Sequence, residues 1–159
     1  MMHNVALLKS DVVYELAKLD SLIQDFMTVQ NKLDMKQLPV YDRAAIGYYI
    51  HSYYNGCENI FISIARFFEN DLSSDAWHSD VLKRMKLKIE GYRPSVISEE
   101  LFSLLNDFRS FRHVFRHSYT FELDWEKESI VARKLTKAHT LLQQQITLFL
   151  KELEKIENS

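Results

Sequence analysis

Only three glycines and two prolines occur in 159 residues, so the chain has little of the turn chemistry on which hairpins and β-meanders depend. Helices joined by few loops are what remains. There is one cysteine, Cys57, which excludes an intrachain disulfide or a cysteine-built zinc site and suits a reducing compartment. Its simplest role is that of a small core hydrophobe. Long apolar runs are missing too, since none approaches the roughly 18 residues of a membrane span. The start, MMHNVALLKSD, meets charge at Lys9 and Asp11 before the apolar region of a secretory signal could form. The expectation is a cytoplasmic protein with no membrane partner. Basic charge is not in excess either. With 20 Lys and Arg against 22 Asp and Glu the formal net charge is −2, whereas broad affinity for nucleic acid normally needs the opposite sign. Any dealing with RNA must use local patches. The chain lacks a Gly-rich phosphate loop and any pair of histidines or carboxylates with the spacing of a zinc or two-metal site, so neither cofactor nor metal is expected.

What is present is apolar periodicity. Hydrophobic residues make up 47% of the chain, and its length suits one domain over residues 1–159, a chain of this size burying roughly two-thirds of its unfolded surface. Val5, Leu8, Val12, Leu16, Leu19, Ile23, Phe26 and Leu33 recur at steps of three, four or seven and predict one helix over 5–33, with Pro39 beyond its end. A second helix is expected from an N-cap at Asp42 to about Glu69, apolar nearly all round and therefore buried. After a polar stretch around Asn70 to Asp75 comes a short helix, Ser79 to about Ile89, with Gly91 and Pro94 to stop it. Ser98 is the next expected N-cap, followed by Glu99 and Glu100 where the helix dipole favours anions, and that helix should reach about His117. A last helix is predicted from about Lys127 to Glu157. Three long helices and a medium one joined by short loops imply an all-α, antiparallel four-helix bundle with the short helix as an addition.

The fourth of these helices ends in FRSFRHVFRHSY, three arginines and two histidines among phenylalanines within residues 108–119. At about 100° per residue, Leu101, Leu104, Leu105, Phe108, Phe111 and Phe115 share the core face. Arg112 falls about 50° from its centre and Tyr119 about 30°, so both should be partly buried. A half-buried guanidinium needs an anion, either an internal carboxylate such as Glu58 or a ligand's phosphate. The opposite face carries Asn106, Ser110, His113 and His117, polar but uncharged, which suits packing against a second copy of the helix. Five residues separate Arg112 from His117, about 140° on a straight helix, so they share a site only if the helix loosens at its end or two subunits contribute. Arg with His suits metal-free RNA cleavage: an imidazole moves protons near neutral pH and a guanidinium stabilises charge on the phosphorane. A structural helix end, with Arg capping and His stacking, fits the same spacing. The stretch Lys83, Arg84, Lys86, Lys88 and Arg93 either steers phosphates or is a solvated face. His51 and His78 read as core or boundary histidines, and Tyr48, Tyr49, Tyr53 and Tyr54 as aromatic packing.

The segment from Arg112 through His113 and His117 to Tyr119 matches the R-x4-H-x-Y motif of HepT-like toxins of the HEPN superfamily. YYIHSYYNGCENIF (48–61), Trp77-His78, Arg93-Pro94 and FELDW (121–125) resemble that subfamily in the same order, so the resemblance spans about 42–126. It implies a four-helix HEPN bundle and a homodimer that brings two Arg/His pairs into one cleft. It also implies endoribonuclease action with Arg112 and His117 as the catalytic pair. His113, directly after the motif arginine, Arg116, a second basic residue whose part the motif does not define, and Glu58, the carboxylate within reach of Arg112, are auxiliary candidates. The implied antitoxin is a nucleotidyltransferase of the MntA type, able to AMPylate Tyr119. A non-catalytic HEPN adaptor, holding a nucleotide or a nucleotidyltransferase in the same cleft, is the alternative.

Overall fold

The computed structural model describes residues 2–68, 81–90 and 93–158. Five helices run through them: α1 (Met2–Met27), α2 (Val40–Phe68), α3 (Glu99–His117), α4 (Trp125–Ala132) and α5 (Leu135–Asn158), with 3-10 turns at Gln30–Asp34 and Thr120–Glu122. Residues 81–85 are also helical. Among the described residues there is no strand, only an isolated bridge between Ile89 and Arg93.

Side-chain pairs give the bundle its sense. Gly56 of α2 meets Leu19 of α1 while Tyr49 meets Asp25, so α1 and α2 run antiparallel. Glu58 pairs with Arg112, and His51 lies against Arg116, which makes α2 and α3 antiparallel as well. Lys134 reaches Asp107 and Gln145 reaches Ser98; Asp20 meets His139 and Lys9 meets Glu154. α5 therefore closes an up-and-down four-helix bundle, with α4 as a short extra helix.

α2 is the central helix because its sequence is apolar on nearly every side. Ile46, Ile50, Tyr53, Tyr54, Cys57, Ile60, Phe61, Ile64 and Ala65 are buried along it. Burial of each large side chain contributes roughly 1.5–3 kcal/mol. A Cβ on Gly56 would run into the Leu19 side chain, so that glycine allows the close approach of α1. Burial also holds the Cys57 thiol protonated, far above its usual range.

Several boundaries differ from those read in the sequence. The first helix stops at Met27, because i→i+3 bonds from Thr28 to Asp25 and from Val29 to Phe26 tighten its last turn. Leu33 sits in the following 3-10 turn and is nevertheless buried, so the apolar stripe crosses a break that periodicity does not reveal. α2 begins at Val40, placing Asp42 in its first turn where an anion meets the dipole. The long C-terminal helix is two helices. Asp124 caps α4 by accepting from the backbone of Glu126 and Lys127, and beyond the break at Arg133 that guanidinium donates to Leu33 O and to Asp34. The short helix ends after Met85 rather than near Ile89. Its carbonyls are taken from outside: Met85 O accepts from Val96 and Ile97, and Arg84 O from Arg93. Its predicted start at Ser79, the Asn70–Asp75 stretch, Trp77-His78 and Gly91 lie outside the described residues. The Ser98 cap is as expected, its Oγ accepting from Leu101 N at 3.1 Å.

Candidate functional site

α3 changes character along its length. Leu101, Leu105 and Phe108 have no exposed surface, whereas Phe111 and Phe115 are only half-buried. The second half of the helix lies against α2 between Gly47 and Glu58, and Gly47 permits it: a Cβ there would come within 2.6 Å of Phe115 Cε1. Two polar rows meet along this seam. α2 contributes His51, Asn55 and Glu58, spaced by four and three on one face, and α3 contributes Arg112 and Arg116, spaced by four.

Arg112 is where the wheel placed it, with 13% of its side chain exposed. Its anion is internal. Nη2 donates to Glu58 Oε2 at 3.1 Å, and Nη1 donates to Glu58 Oε1 at 3.3 Å and to Asn55 Oδ1 at 2.8 Å. The guanidinium carbon lies 4.6 Å from the centre of the Tyr54 ring. A guanidinium carries five N–H groups; the bonds to Glu58 and Asn55 use three, which leaves two without a hydrogen-bond partner among the described residues. Glu58 is as deeply set as its partner, at 14% exposed, so removing either ion strands the other in a poorly solvated place.

Beyond Asn55 the seam continues to His51. Asn55 Nδ2 lies 3.3 Å from His51 Nδ1, and Arg116 Nε lies 3.1 Å from His51 Nε2. The ring sits between Tyr48 and Phe115, with centroids 5.9 and 5.7 Å away. Burial, and then the charges of Arg116 and Arg112, push the His51 pKa below its ordinary value. The sequence reading has His51 as a core or boundary histidine and does not single out Asn55. Their signal was available: His51, Asn55 and Glu58, spaced by four and three, share one polar face of α2.

His113 and His117 are exposed, with ring centroids 4.6 Å apart. They line, with Arg109, Ser110, Arg112 and Arg116, a cleft of about 530 Å³ along α3. The helix stays regular to His117, so nothing within one chain narrows the angle of about 140° between Arg112 and His117. Of the opposite face, Ser110, His113 and His117 are exposed, and Asn106 accepts from Arg109 at 2.7 Å.

Tyr119 is not where the wheel put it. α3 ends at His117, Ser118 is extended at ψ 148°, and Tyr119 stands 71% exposed with its ring stacked on Phe121 at 5.5 Å. A helical wheel says nothing past the last helical residue. The basic stretch also divides. Arg93 is buried and donates to the carbonyls of Arg84, Leu87 and Pro94, so it ties a loop together rather than facing a phosphate. Lys86 lies over the Phe102 ring and near Glu99. Among the described residues no three His, Cys, Asp or Glu side chains gather into a metal-binding group, and no helix is long and apolar enough to cross a membrane.

These features belong to a recognised class. The family model described as HepT-like protein matches residues 45–153, which takes in nearly all of α2, the whole of α3 and α4, and most of α5. The chain belongs to the HepT-like family of HEPN-type proteins. Such proteins are of the toxin–antitoxin kind, are generally ribonucleases and commonly dimerise. No curated protein and no solved structure matches the chain.

Proposed function

We propose that this chain is the toxin of a toxin–antitoxin pair, one cytoplasmic HEPN domain over residues 1–159 that cleaves RNA without a metal ion. The observation that carries the reading is the cleft along α3, where an Arg112 guanidinium held by Glu58 and Asn55 keeps two N–H groups unused beside the exposed imidazoles of His113 and His117. His117 takes the proton from a ribose 2′-hydroxyl. The 2′-oxygen bonds to phosphorus, the P–O5′ bond breaks, and the departing oxygen receives a proton, leaving a 2′,3′-cyclic phosphate and a 5′-hydroxyl. Arg112 stabilises the charge that builds on the phosphorane oxygens. Glu58 is a positioning residue, since it touches Arg112 and not the cleft's contents, and His113 and Arg116 assist.

A homodimer completes the site. Two copies packed through the faces that carry Ser110, His113 and His117 bring one copy's imidazole toward the other's Arg112. Control comes from a nucleotidyltransferase antitoxin that adds AMP to Tyr119, whose exposure makes the hydroxyl reachable and whose new phosphate charge would compete for the cleft's arginines. One observation favours the alternative of a non-catalytic adaptor, namely that Arg112 is already neutralised by Glu58. The test is cleavage of tRNA and mRNA by purified protein in EDTA, with wild type beside His117→Ala. Cleavage by the wild type that His117→Ala loses is the expected result; cleavage that survives the substitution, or that requires added metal, overturns the reading.

A further inference from the structure

Tyr119 and Phe121 are aromatic residues that the fold holds out in solvent. They are 71% and 70% exposed, yet their rings lie parallel, with 4° between their planes and 5.5 Å between centroids. The turn beneath them is fixed at both ends. Tyr119 N donates to Glu122 Oε1 at 2.7 Å and Glu122 N donates to Tyr119 O at 2.9 Å, while Arg43 of α2 donates to Leu123 O at 2.8 Å and ties the turn to the bundle. A single apolar residue on a surface needs no explanation. Two stacked rings on a locked turn are different, because they present a flat π surface whose position does not have to be found at each encounter.

The neighbouring cleft decides what that surface receives. Tyr119 follows His117 by two residues, a reach of at most about 7 Å between their Cα atoms, and His117 lines the cleft together with Arg109, Arg112 and Arg116. Of the three arginines, Arg112 alone meets a carboxylate among the described residues. Arg109 donates to the neutral Asn106, and Arg116 donates to His51, whose pKa burial and the arginines lower, so neither charge is cancelled. A cationic groove that ends on exposed aromatic rings is the combination that holds single-stranded nucleic acid, the cations tracking phosphates and the rings taking bases. We propose that Tyr119 and Phe121 form a nucleobase platform, on which the base of a nucleotide flanking the cleaved phosphate stacks. The assignment to RNA rests on the function proposed above. Every base has a π face, so the platform tolerates sequence and demands only a flat ring. Phe121, which carries no polar group, contributes by stacking alone.

The test is binding of the full chain to a 2′-O-methyl RNA oligonucleotide, which lacks the attacking hydroxyl, with 2-aminopurine placed at each position in turn. The expected result is a fluorescence change at one position that Phe121→Leu removes, together with a Kd that Phe121→Leu raises about tenfold and Phe121→Trp does not. Thermal melting of Phe121→Leu should match the wild type, as substitutions at exposed positions generally do. Dihydrouridine, whose ring is not flat, should weaken binding by the wild type when placed at that position and make no further difference to Phe121→Leu. Equal affinity of Phe121→Leu and wild type, or a fluorescence change at no position, overturns the proposal. So does a Phe121→Leu protein that sediments at lower mass and loses RNA only in that proportion, since the pair is then a contact between copies. Cleavage is read separately. If His117→Ala still cleaves while Phe121→Leu loses the stacked base, the ribonuclease reading falls and the platform stands; if cleavage depends on His117 and Phe121→Leu binds normally, the platform alone falls.

Discussion

Leu101, Leu105 and Phe108 in the first half of α3 are fully buried against α2 and α5, while the second half of the same helix meets α2 through Arg112 and Arg116 and turns His113 and His117 outward. Both halves are continuous helix, and both meet α2 along antiparallel paths. The difference lies in what α2 offers: Tyr53, whose ring meets Phe108 at 5.8 Å, in one place and His51, Asn55 and Glu58 in the other. One half spends its surface on packing. The other holds cations in a partly dry seam, an arrangement that contributes little stability and keeps charge aimed at a cleft.

The largest effect should come from the packed half. Phe108→Ala is expected to cost about 3–5 kcal/mol, and Phe111→Ala, at a half-buried position, less than half as much. Urea denaturation measures both, and equal losses would erase the contrast. Next comes the polar half. Arg112→Ala should cost about 2–3 kcal/mol, because Glu58 then keeps its charge in a poorly solvated place, and adding Glu58→Gln to that variant should recover most of the loss. A single substitution as mild as a surface change would show that the seam is solvated.

A smaller effect is expected at Glu128, which is 1% exposed with both carboxyl oxygens lacking a hydrogen-bond partner among the described residues. It borders the hollow lined by Ser110, Phe111 and Val114 of the second half. Burial, opposed by the Arg43 charge, raises its pKa from 4.5 to about 8. Between these values the folded chain binds more protons than the unfolded one, so this group's contribution to stability falls as pH rises through the window, and the cost is complete above about pH 8. Glu128→Gln removes the titration. It should stabilise the protein by about 1–2 kcal/mol at pH 8 and by nothing near pH 4, as thermal melts at the two pH values would show; a pH-independent difference would contradict the assignment. The smallest effect is expected just past α3. Tyr119→Phe should change stability by less than about 0.5 kcal/mol, as exposed positions generally do, and block AMP addition during co-expression with the antitoxin, read by intact mass. A mass increase in steps of AMP that persists in this variant would move the modification elsewhere.

Much of this architecture was legible in the sequence, and the places where it was not share a cause. The Ser98 cap and the His117 end of α3 follow from local chemistry, a hydroxyl three residues before an unpaired N–H and a helix stripe that runs out. The break after Met27 and the split at Arg133 do not, because the apolar spacing continues through both while i→i+3 backbone bonds tighten the last turn of α1 and the Arg133 guanidinium reaches back to Leu33 O and Asp34. Arg112 was placed correctly because the wheel applies inside a helix. Tyr119 was misplaced because the wheel was carried two residues beyond one. Arg93 looked like part of a basic patch, and only the fold shows that its guanidinium serves three backbone carbonyls.

The sequence by itself determined the helical class, the central place of α2 and the family, since periodicity, scarcity of turn residues and a spaced motif are properties of neighbouring positions along one chain. Only the tertiary structure decided that Glu58 rather than a ligand answers Arg112, and that His51 faces Arg116 across the seam. Those pairs are 54 and 65 residues apart, and their meeting depends on how closely two helices approach, here on the absence of a side chain at Gly47, which no pattern within either helix encodes.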